Sequence, residues 1–448
     1  MTETSFAPVA RADRIDVLDI LRGIAILGIF YMNIPFMGAS ESLASNDIRS
    51  IGWSVADRNT WAVIQIVLEG TQRGLLEILF GAGMMVLARR AMEPDGPVAV
   101  ADLYYRRNLW LIAFGLFDVF ILLWPGDILH IYGLAALFLF PFRRLSPKWL
   151  VAIGSAFALF TAVQGGMEYA SRTTLMHQAE AVAAKQASGK PLAKADKDIQ
   201  AEWQKKLDRL KLDKDEKKKF EEEQAARTPS ASFMSYAGFL WNAWLGFVGE
   251  GSIWYSVPEA FCAMLIGVAL WKWRIIQGGR SARFYLVLML AAYGYGMTAR
   301  AVGVSEIFTF SPIPKTVWIN WEFARLAVAI GHIALVNLMV KSVLGARILS
   351  PLKAAGRTAF SLYFMQQIIG LYILFAPFGF GLWGKFGWAG LEGIATAVIV
   401  SQIVVANIWV RFFATGPFEW AWRSLSYLKW QPFRLRTASA VTEEPATA

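Results

Sequence analysis

The sequence predicts an all-α polytopic membrane protein of about ten transmembrane helices. Three observations carry that prediction. Of 448 residues, 56% are hydrophobic and only 17% charged, where a soluble domain carries about 25% charge. The mean hydropathy is +0.41. Apolar runs of roughly 18 residues or more recur along the chain, each long enough to cross the hydrocarbon layer as a helix.

The elements follow in order. Residues 1–17 form a cytoplasmic tail with Arg11 and Arg14. The first span is expected at 18–38. Gly38-Ala39-Ser40 would suit a signal-peptide cleavage site, but Asp19, Arg22 and Asn33 decorate the run in a pattern that favours a retained helix. Spans at 62–88, 108–124, 127–143 and 149–167 complete an N-terminal half over 18–170. Residues 171–232, rich in helix formers with mixed-sign charges, read as a charged helical extracytoplasmic insertion. The stretch 233–254 reads as an interfacial or re-entrant helix, because "FMSYAGFLWNAWLGFV" is interrupted by polar residues and carries two tryptophans. Were it to cross, there would be eleven spans. The C-terminal half, 255–412, holds spans at 255–272, 284–303, 320–340, 358–377 and 388–411, and a basic cytoplasmic tail occupies 413–448.

Basic residues test the count. Arg89, Arg90, Arg106 and Arg107 follow the second span, and Arg143, Arg144 and Lys148 the fourth. Lys272, Arg274, Arg280 and Arg283 form another group; Lys341, Arg347, Lys353 and Arg357 a further one; Arg423, Lys429, Arg434 and Arg436 close the chain. With ten spans and both termini cytoplasmic, every group falls on the cytoplasmic side. The same distribution explains the net charge of +10 without a nucleic-acid partner. The single cysteine, Cys262, allows no internal disulfide.

A charge inside the bilayer costs at least a few kcal/mol, so each one marks a candidate site. In the first span Asp19 can pair with Arg22, and Asn33 lies on the same face as Arg22; an interfacial anchor is the plain alternative for Arg22. The second span, "LEGTQRGLLEILFGAGMM", places Glu69, Arg73 and Glu77 at i, i+4 and i+8, one face of a continuous helix. Gly81 extends that face and lets another backbone or a ligand approach. Two carboxylates for one guanidinium point to a polar cavity rather than a neutral ladder.

Only three histidines occur, and one stands in "WPGDILHIYG", where Pro125-Gly126 makes a turn and Asp127 can cap the following helix. His130, one turn on, faces the same way, and a carboxylate beside a histidine orients it as a base. A capping aspartate with an interfacial histidine is the plain alternative. Later spans add Arg300, then Glu322 and Arg325, with His332 on their face as a packing residue. "GRTAFSLYFMQQ" adds Tyr363, Gln366 and Gln367, for which interhelical hydrogen bonding is the ordinary reason. His130 and the Glu69–Arg73–Glu77 face are expected to converge on one cavity.

Other chemistry is unsupported. No phosphate-binding G-x-x-x-x-G-K-[ST] loop occurs, "GFGLWG" follows no strand, no His/Cys spacing suits zinc, and "DKDEKKKFEEE" lacks the glycine of a calcium loop. No metal is predicted. His177 reads as exposed.

"RIDVLDILRGIAILGIFYMN", "EILFGAGMMVLARRA", "GDILHIYG", "GRTAFSLYFMQQ" and "GPFEWAWRSLSYLKWQPFR", in that order, resemble the YeiB-like family of bacterial membrane proteins. The resemblance covers nearly the whole chain except the 171–232 insertion. That family is grouped with transmembrane acyltransferases, including the lysosomal heparan-glucosaminide N-acetyltransferases. The resemblance therefore implies a bacterial inner-membrane protein that transfers an acyl group from cytoplasmic acyl-CoA to a sugar or lipid acceptor at the other face. It points to Asp19, Arg22, Gly23 and Asn33, to Gly126, Asp127 and Tyr132, and to Gly356, Arg357, Tyr363 and Gln366. Where related chains often carry a histidine before the GD motif, this one has Asp118, which leaves His130 as the base.

On this reading His130 and Asp127 are catalytic, and Arg22 and Arg357 meet the phosphates of CoA. Arg22, Asn33, Glu69, Arg73, Glu77, Tyr132, Arg300, Arg325, Tyr363 and Gln366 line the substrate path. A carrier for a polar small molecule or lipid, using the same polar residues without chemistry, is the alternative. A sensor or scaffold that meets a partner through the insertion is a third. The oligomeric state is open.

Overall fold

The computed structural model describes residues 15–88, 99–209 and 214–435. Arg11, Arg14, Arg89, Arg90 and Arg436 of the basic groups lie outside the described residues. Among the described residues the regular structure is helical, with one isolated antiparallel bridge between Phe413 and Arg434.

Among the described residues, six helical segments are long and apolar enough to cross a membrane. They are α1 (Asp16–Gly38), the near-continuous pair α7 (Pro147–Gly154) and α8 (Ala156–Ala187), α12 (Ser252–Lys272), α13 (Ala282–Ile307), α14 (Val317–Met339) and α17 (Trp388–Phe412). The four other expected spans fall on different kinds of helix. Charges interrupt α4 (Thr71–Ala88) and α5 (Ala99–Phe120), while α6 (Leu129–Leu139) and α16 (Ala359–Gln367) are short. A 3-10 turn over Phe140–Arg144 extends α6, and a π-helix over Ile368–Leu374 extends α16.

The expected second span is not one helix. It divides into α3 (Val55–Val67) and α4, separated by Leu68, Glu69 and Gly70. Gly70 has φ +64°, a left-handed conformation that glycine adopts without steric cost and that ends a helix. The sequence "LEGT" carried that signal inside an otherwise helical pattern. Glu69 accordingly leaves the face expected for it.

Tight packing replaces the hydrophobic effect as the organising force between helices in lipid. The crossing of α4 with α12 shows it best. A Cβ at Gly81 would stand 1.9 Å from the Met264 carbonyl oxygen, and one at Gly267 would stand 2.0 Å from that of Ile78. The two backbones therefore touch through reciprocal glycines, and no larger residue fits at either. Helix α1 sits centrally, packed against α4, α16, α17 and α15 (Val343–Arg357).

The described residues of the 171–232 stretch, 171–209 and 214–232, continue the bundle outward. Helix α8 runs on without a break to Ala187, and α9 (Lys194–Asp208) folds back along it through a Lys185–Asp196 ion pair and a 3.2 Å bond from Gln200 to Gln186. Helix α10 (Lys214–Ala226) docks on α2 (Glu41–Asn46), where the Ser40 hydroxyl donates to Glu223 at 2.6 Å. The Arg227 guanidinium donates to the Met37 carbonyl at 3.1 Å. Helix α11 (Phe233–Gly249) touches the same end of the bundle: the Tyr236 hydroxyl donates to Leu371 O at 2.8 Å, and Phe120 packs on Trp241 and Trp244. At the opposite end, α18 (Pro417–Tyr427) supplies Glu419, which accepts from the Phe360 amide and the Ser361 hydroxyl, each at 2.6 Å, and so caps α16.

Candidate functional site

Two polar neighbourhoods lie within the bundle, and α6 touches both. The first is an ion cluster. Arg325, on α14 and fully buried, uses two nitrogens on the Glu322 carboxylate, at 2.7 and 2.8 Å, and a third on Glu77 at 2.8 Å. Its Nη2 also lies 3.1 Å from Glu259. Arg73 reaches Glu259 at 2.6 Å and approaches Glu77 at 3.8 Å. The close α4–α12 crossing holds Glu77 and Glu259 together, and α14 brings Arg325 between them. Only Arg73, with a third of its side chain accessible, opens outward; Glu77, Glu259, Glu322 and Arg325 are at most 3% exposed. With all five ionised, one carboxylate charge is left over.

Glu259 belongs to this cluster, although the sequence reading passed over it. The same rule applied to it as to its partners, since "SVPEAFC" puts a carboxylate in an apolar run. Glu69 does not belong to it. It sits in the α3–α4 break, with the Gln65 amide 3.5 Å away. Arg300 closes that break: its guanidinium donates to Ile66 O at 3.2 Å, Glu69 O at 2.5 Å and the Thr71 hydroxyl at 2.8 Å. Those carbonyls lost their partners when the helix broke, so Arg300 satisfies them where water is scarce.

The second neighbourhood surrounds the turn before α6. Asp127 accepts from the His130 backbone N–H at 3.0 Å and pairs with His130 Nδ1 at 2.6 Å through the same oxygen. Its other oxygen accepts from the Tyr363 hydroxyl at 3.2 Å, and that hydroxyl also lies 3.4 Å from the Ile128 amide. The aspartate caps the helix and orients the ring at once. An ionised Asp127 fixes the proton on Nδ1, which leaves Nε2 as the bare, basic nitrogen. Among the described residues that Nε2 is buried and has no hydrogen-bond partner. Asp118 is fully buried and close enough to Asp127 and Tyr363 to interact with both, and among the described residues neither of its oxygens has a hydrogen-bond partner.

Tyr132 connects the two. Its hydroxyl donates to the Arg73 carbonyl at 3.1 Å, and Phe80 meets its ring edge-on at 5.3 Å between centroids. Glu69 does not share a cavity with His130. His130 packs inside the protein, whereas Glu69 lines a cavity of about 280 Å³ with Glu41, Glu392, Tyr31, Trp61 and Trp388, to which His130 does not contribute.

Other predicted residues are placed as follows. Arg22 pairs with Asp19 at 3.2 Å and keeps 41% of its side chain exposed. Gly23 and Gly356 bring α1 and α15 into backbone contact, which puts Arg22 and Arg357 at one end of the bundle. Arg357 donates to Ala414 O at 3.1 Å. Gln366 donates to Ile26 O at 3.1 Å and to Gln402 at 3.0 Å, while Gln402 donates to Leu362 O at 3.1 Å, an interhelical amide chain. Asn33 is half-buried on α1. His332 accepts or donates to the Tyr293 hydroxyl at 3.0 Å, as a packing residue does. Among the described residues no group of three or more His, Cys, Asp or Glu side chains is arranged to hold a metal ion.

Comparison with known proteins gives one consistent picture. Residues 270–429 match a family described as a protein of unknown function (DUF418). The uncharacterized protein YxaH of Bacillus subtilis is 31% identical over 97% of this chain and 99% of its own length. The uncharacterized protein YeiB of Escherichia coli is 24% identical over 91% of this chain and 95% of its own. No solved structure matches the chain.

Proposed function

The chain belongs to the YeiB-like family of membrane proteins, and from that premise we propose that it is a multi-pass acyltransferase of the bacterial inner membrane. In this reading ten spans place both termini in the cytoplasm, with the insertion and α11 on the other side. The observation that carries the reading is the 2.6 Å pair of Asp127 with His130 Nδ1, which leaves a buried Nε2 without a partner.

A histidine held this way can take a proton from an acceptor hydroxyl or amine. The acceptor atom then attacks the thioester carbonyl of acyl-CoA; the carbon–oxygen or carbon–nitrogen bond forms, the carbon–sulfur bond breaks, and the departing thiolate receives the proton from the imidazolium. Tyr363 and Asp127 keep the ring in register through the step. At the cytoplasmic end Arg22 is accessible, and its charge reaches Arg107. Paired guanidiniums suit the phosphates of CoA, and Arg357 stands at the same end. A sugar or lipid acceptor would approach from the opposite end.

The test is release of free thiol from acetyl-CoA by purified protein, with wild type beside His130→Gln. Turnover in the wild type that disappears in the variant supports the reading. Absence of both turnover and CoA binding in the wild type overturns it. A carrier without chemistry is the second reading, favoured by the Glu69 cavity and its acidic lining.

A further inference from the structure

We propose that the cavity between α1, α3 and α17 is a binding site for a small organic cation, an alkylammonium, separate from the His130 site and independent of the acyl-transfer reading. Three carboxylates from three distant parts of the chain line it: Glu41 on α2, Glu69 in the α3–α4 break and Glu392 on α17. Among the described residues that line it there is no lysine or arginine; Lys219 of α10 acts on Glu41 from outside the cavity. The guanidiniums nearest Glu69 are already engaged, that of Arg300 by Ile66, Glu69 and Thr71, and that of Arg73 by Glu259.

Glu392 is the pointed observation. It is 95% buried, being 5% exposed, and among the described residues its Oε2 has no hydrogen-bond partner, yet it lines an open cavity. A carboxylate withdrawn from water without a counter-charge is costly, and a cation entering the cavity would relieve that cost. The walls indicate which kind of cation. Trp61, Trp388 and Tyr31 present aromatic surface, and rings bind alkylammonium groups through cation–π attraction in partly dry surroundings. The acidic groups are not gathered to coordinate a metal ion; they are spread around an aromatic chamber. At about 280 Å³ the cavity sits near the lower limit for a small-molecule pocket, roughly 300 Å³, which suits choline, ethanolamine or a short diamine. Such an ammonium group arrives either free in solution or as the headgroup of a lipid.

The experiment uses the full chain in nanodiscs of phosphatidylglycerol, which carries no amine, at constant ionic strength. Radiolabelled choline and putrescine are the probes, measured by scintillation proximity. Saturable binding of at least one, undisturbed by magnesium and weakened tenfold or more by Glu392→Gln, is the expected result. The control Glu180→Gln, outside the cavity and exposed, leaves binding unchanged. Glu41→Gln, at the exposed rim, weakens binding in the same direction and keeps the test open should Glu392→Gln fail to fold. Replacing the lipid with phosphatidylethanolamine abolishes probe binding if the natural occupant is a headgroup, and spares it if the occupant is soluble. No saturable binding of either probe overturns the proposal. So does binding that magnesium displaces, or binding indifferent to both glutamate substitutions.

Discussion

The ion cluster around Arg325 and the turn around His130 are both buried, both charged and joined by Tyr132, yet they are finished to different degrees. Arg325 places each of its three nitrogens on a carboxylate at 2.7–2.8 Å. The His130 turn leaves one ring nitrogen and both Asp118 oxygens without partners among the described residues. A closed network costs much to disturb and offers nothing to a substrate. An open one holds less of the fold together and keeps a lone pair available. Burial and charge alone do not separate a structural site from a chemical one; the state of its hydrogen bonds does.

Substitutions can break that contrast. Arg325→Met should strand Glu322, leave Glu77 and Glu259 with Arg73 alone, and cost about 3–5 kcal/mol, the usual consequence of removing one partner from a buried ion network. Thermal unfolding in detergent would register it as a loss of folded protein, and adding Glu322→Gln should recover part of the loss. A midpoint matching wild type would show that the cluster is not the stabilising element described here. His130→Gln is expected to behave in the opposite way, with stability held within about 1 kcal/mol while thiol release from acetyl-CoA falls by about 10²–10⁴-fold. Equal damage to fold and turnover would erase the distinction between the two regions.

Asp118→Asn sharpens the comparison on a smaller scale. Replacing a buried carboxyl group that has no hydrogen-bond partner among the described residues should leave the unfolding midpoint unchanged or raise it by the equivalent of about 1 kcal/mol, whereas Glu77→Gln in the closed network should lower it. A clear fall with Asp118→Asn would mean that this carboxylate has a partner after all.

The smallest effect concerns pH at the end of the bundle where α10 docks. Burial raises the Glu223 carboxyl above its ordinary 4.5, against the Ser40 hydroxyl and Arg227. For acids raised in the folded state, docking is favoured while they are protonated and weakens as pH climbs from 4.5 through the raised values. Hydrogen exchange in α10 should therefore be slower, after correction for the intrinsic rate, at pH 5 than at pH 8. Protection that increases with pH would contradict the assignment.

Much of the closed network was legible in the sequence, because a charge in an apolar run is expensive enough to be noticed: Arg73, Glu77, Glu322 and Arg325 all announced themselves. Gly81 was readable as a site of close approach, and the approaching group is the Met264 backbone. Glu69 was misplaced because periodicity continued across "LEGT" while Gly70 turned the chain out of the helix. The Asp127–His130 pair was readable from its spacing. The lack of a partner for Nε2 was not, since it depends on tertiary packing around the ring. The cavity lined by Glu41, Glu69 and Glu392 was invisible to local reading, as those residues meet only through tertiary packing across more than three hundred positions of chain.

Helix α8 adds a mechanical consequence. It has 32 residues without interruption, about 48 Å at 1.5 Å per residue, so one rod extends from within the bundle to the tip of the insertion. Near its inner part the rod bears on α14, where a Cβ at Gly165 would stand 1.9 Å from the Trp318 carbonyl oxygen. Trp318 lies two turns before Arg325 on the same helix. A single unbroken helix therefore ties the charged insertion to the helix that carries the central arginine, with one backbone-to-backbone contact as the joint.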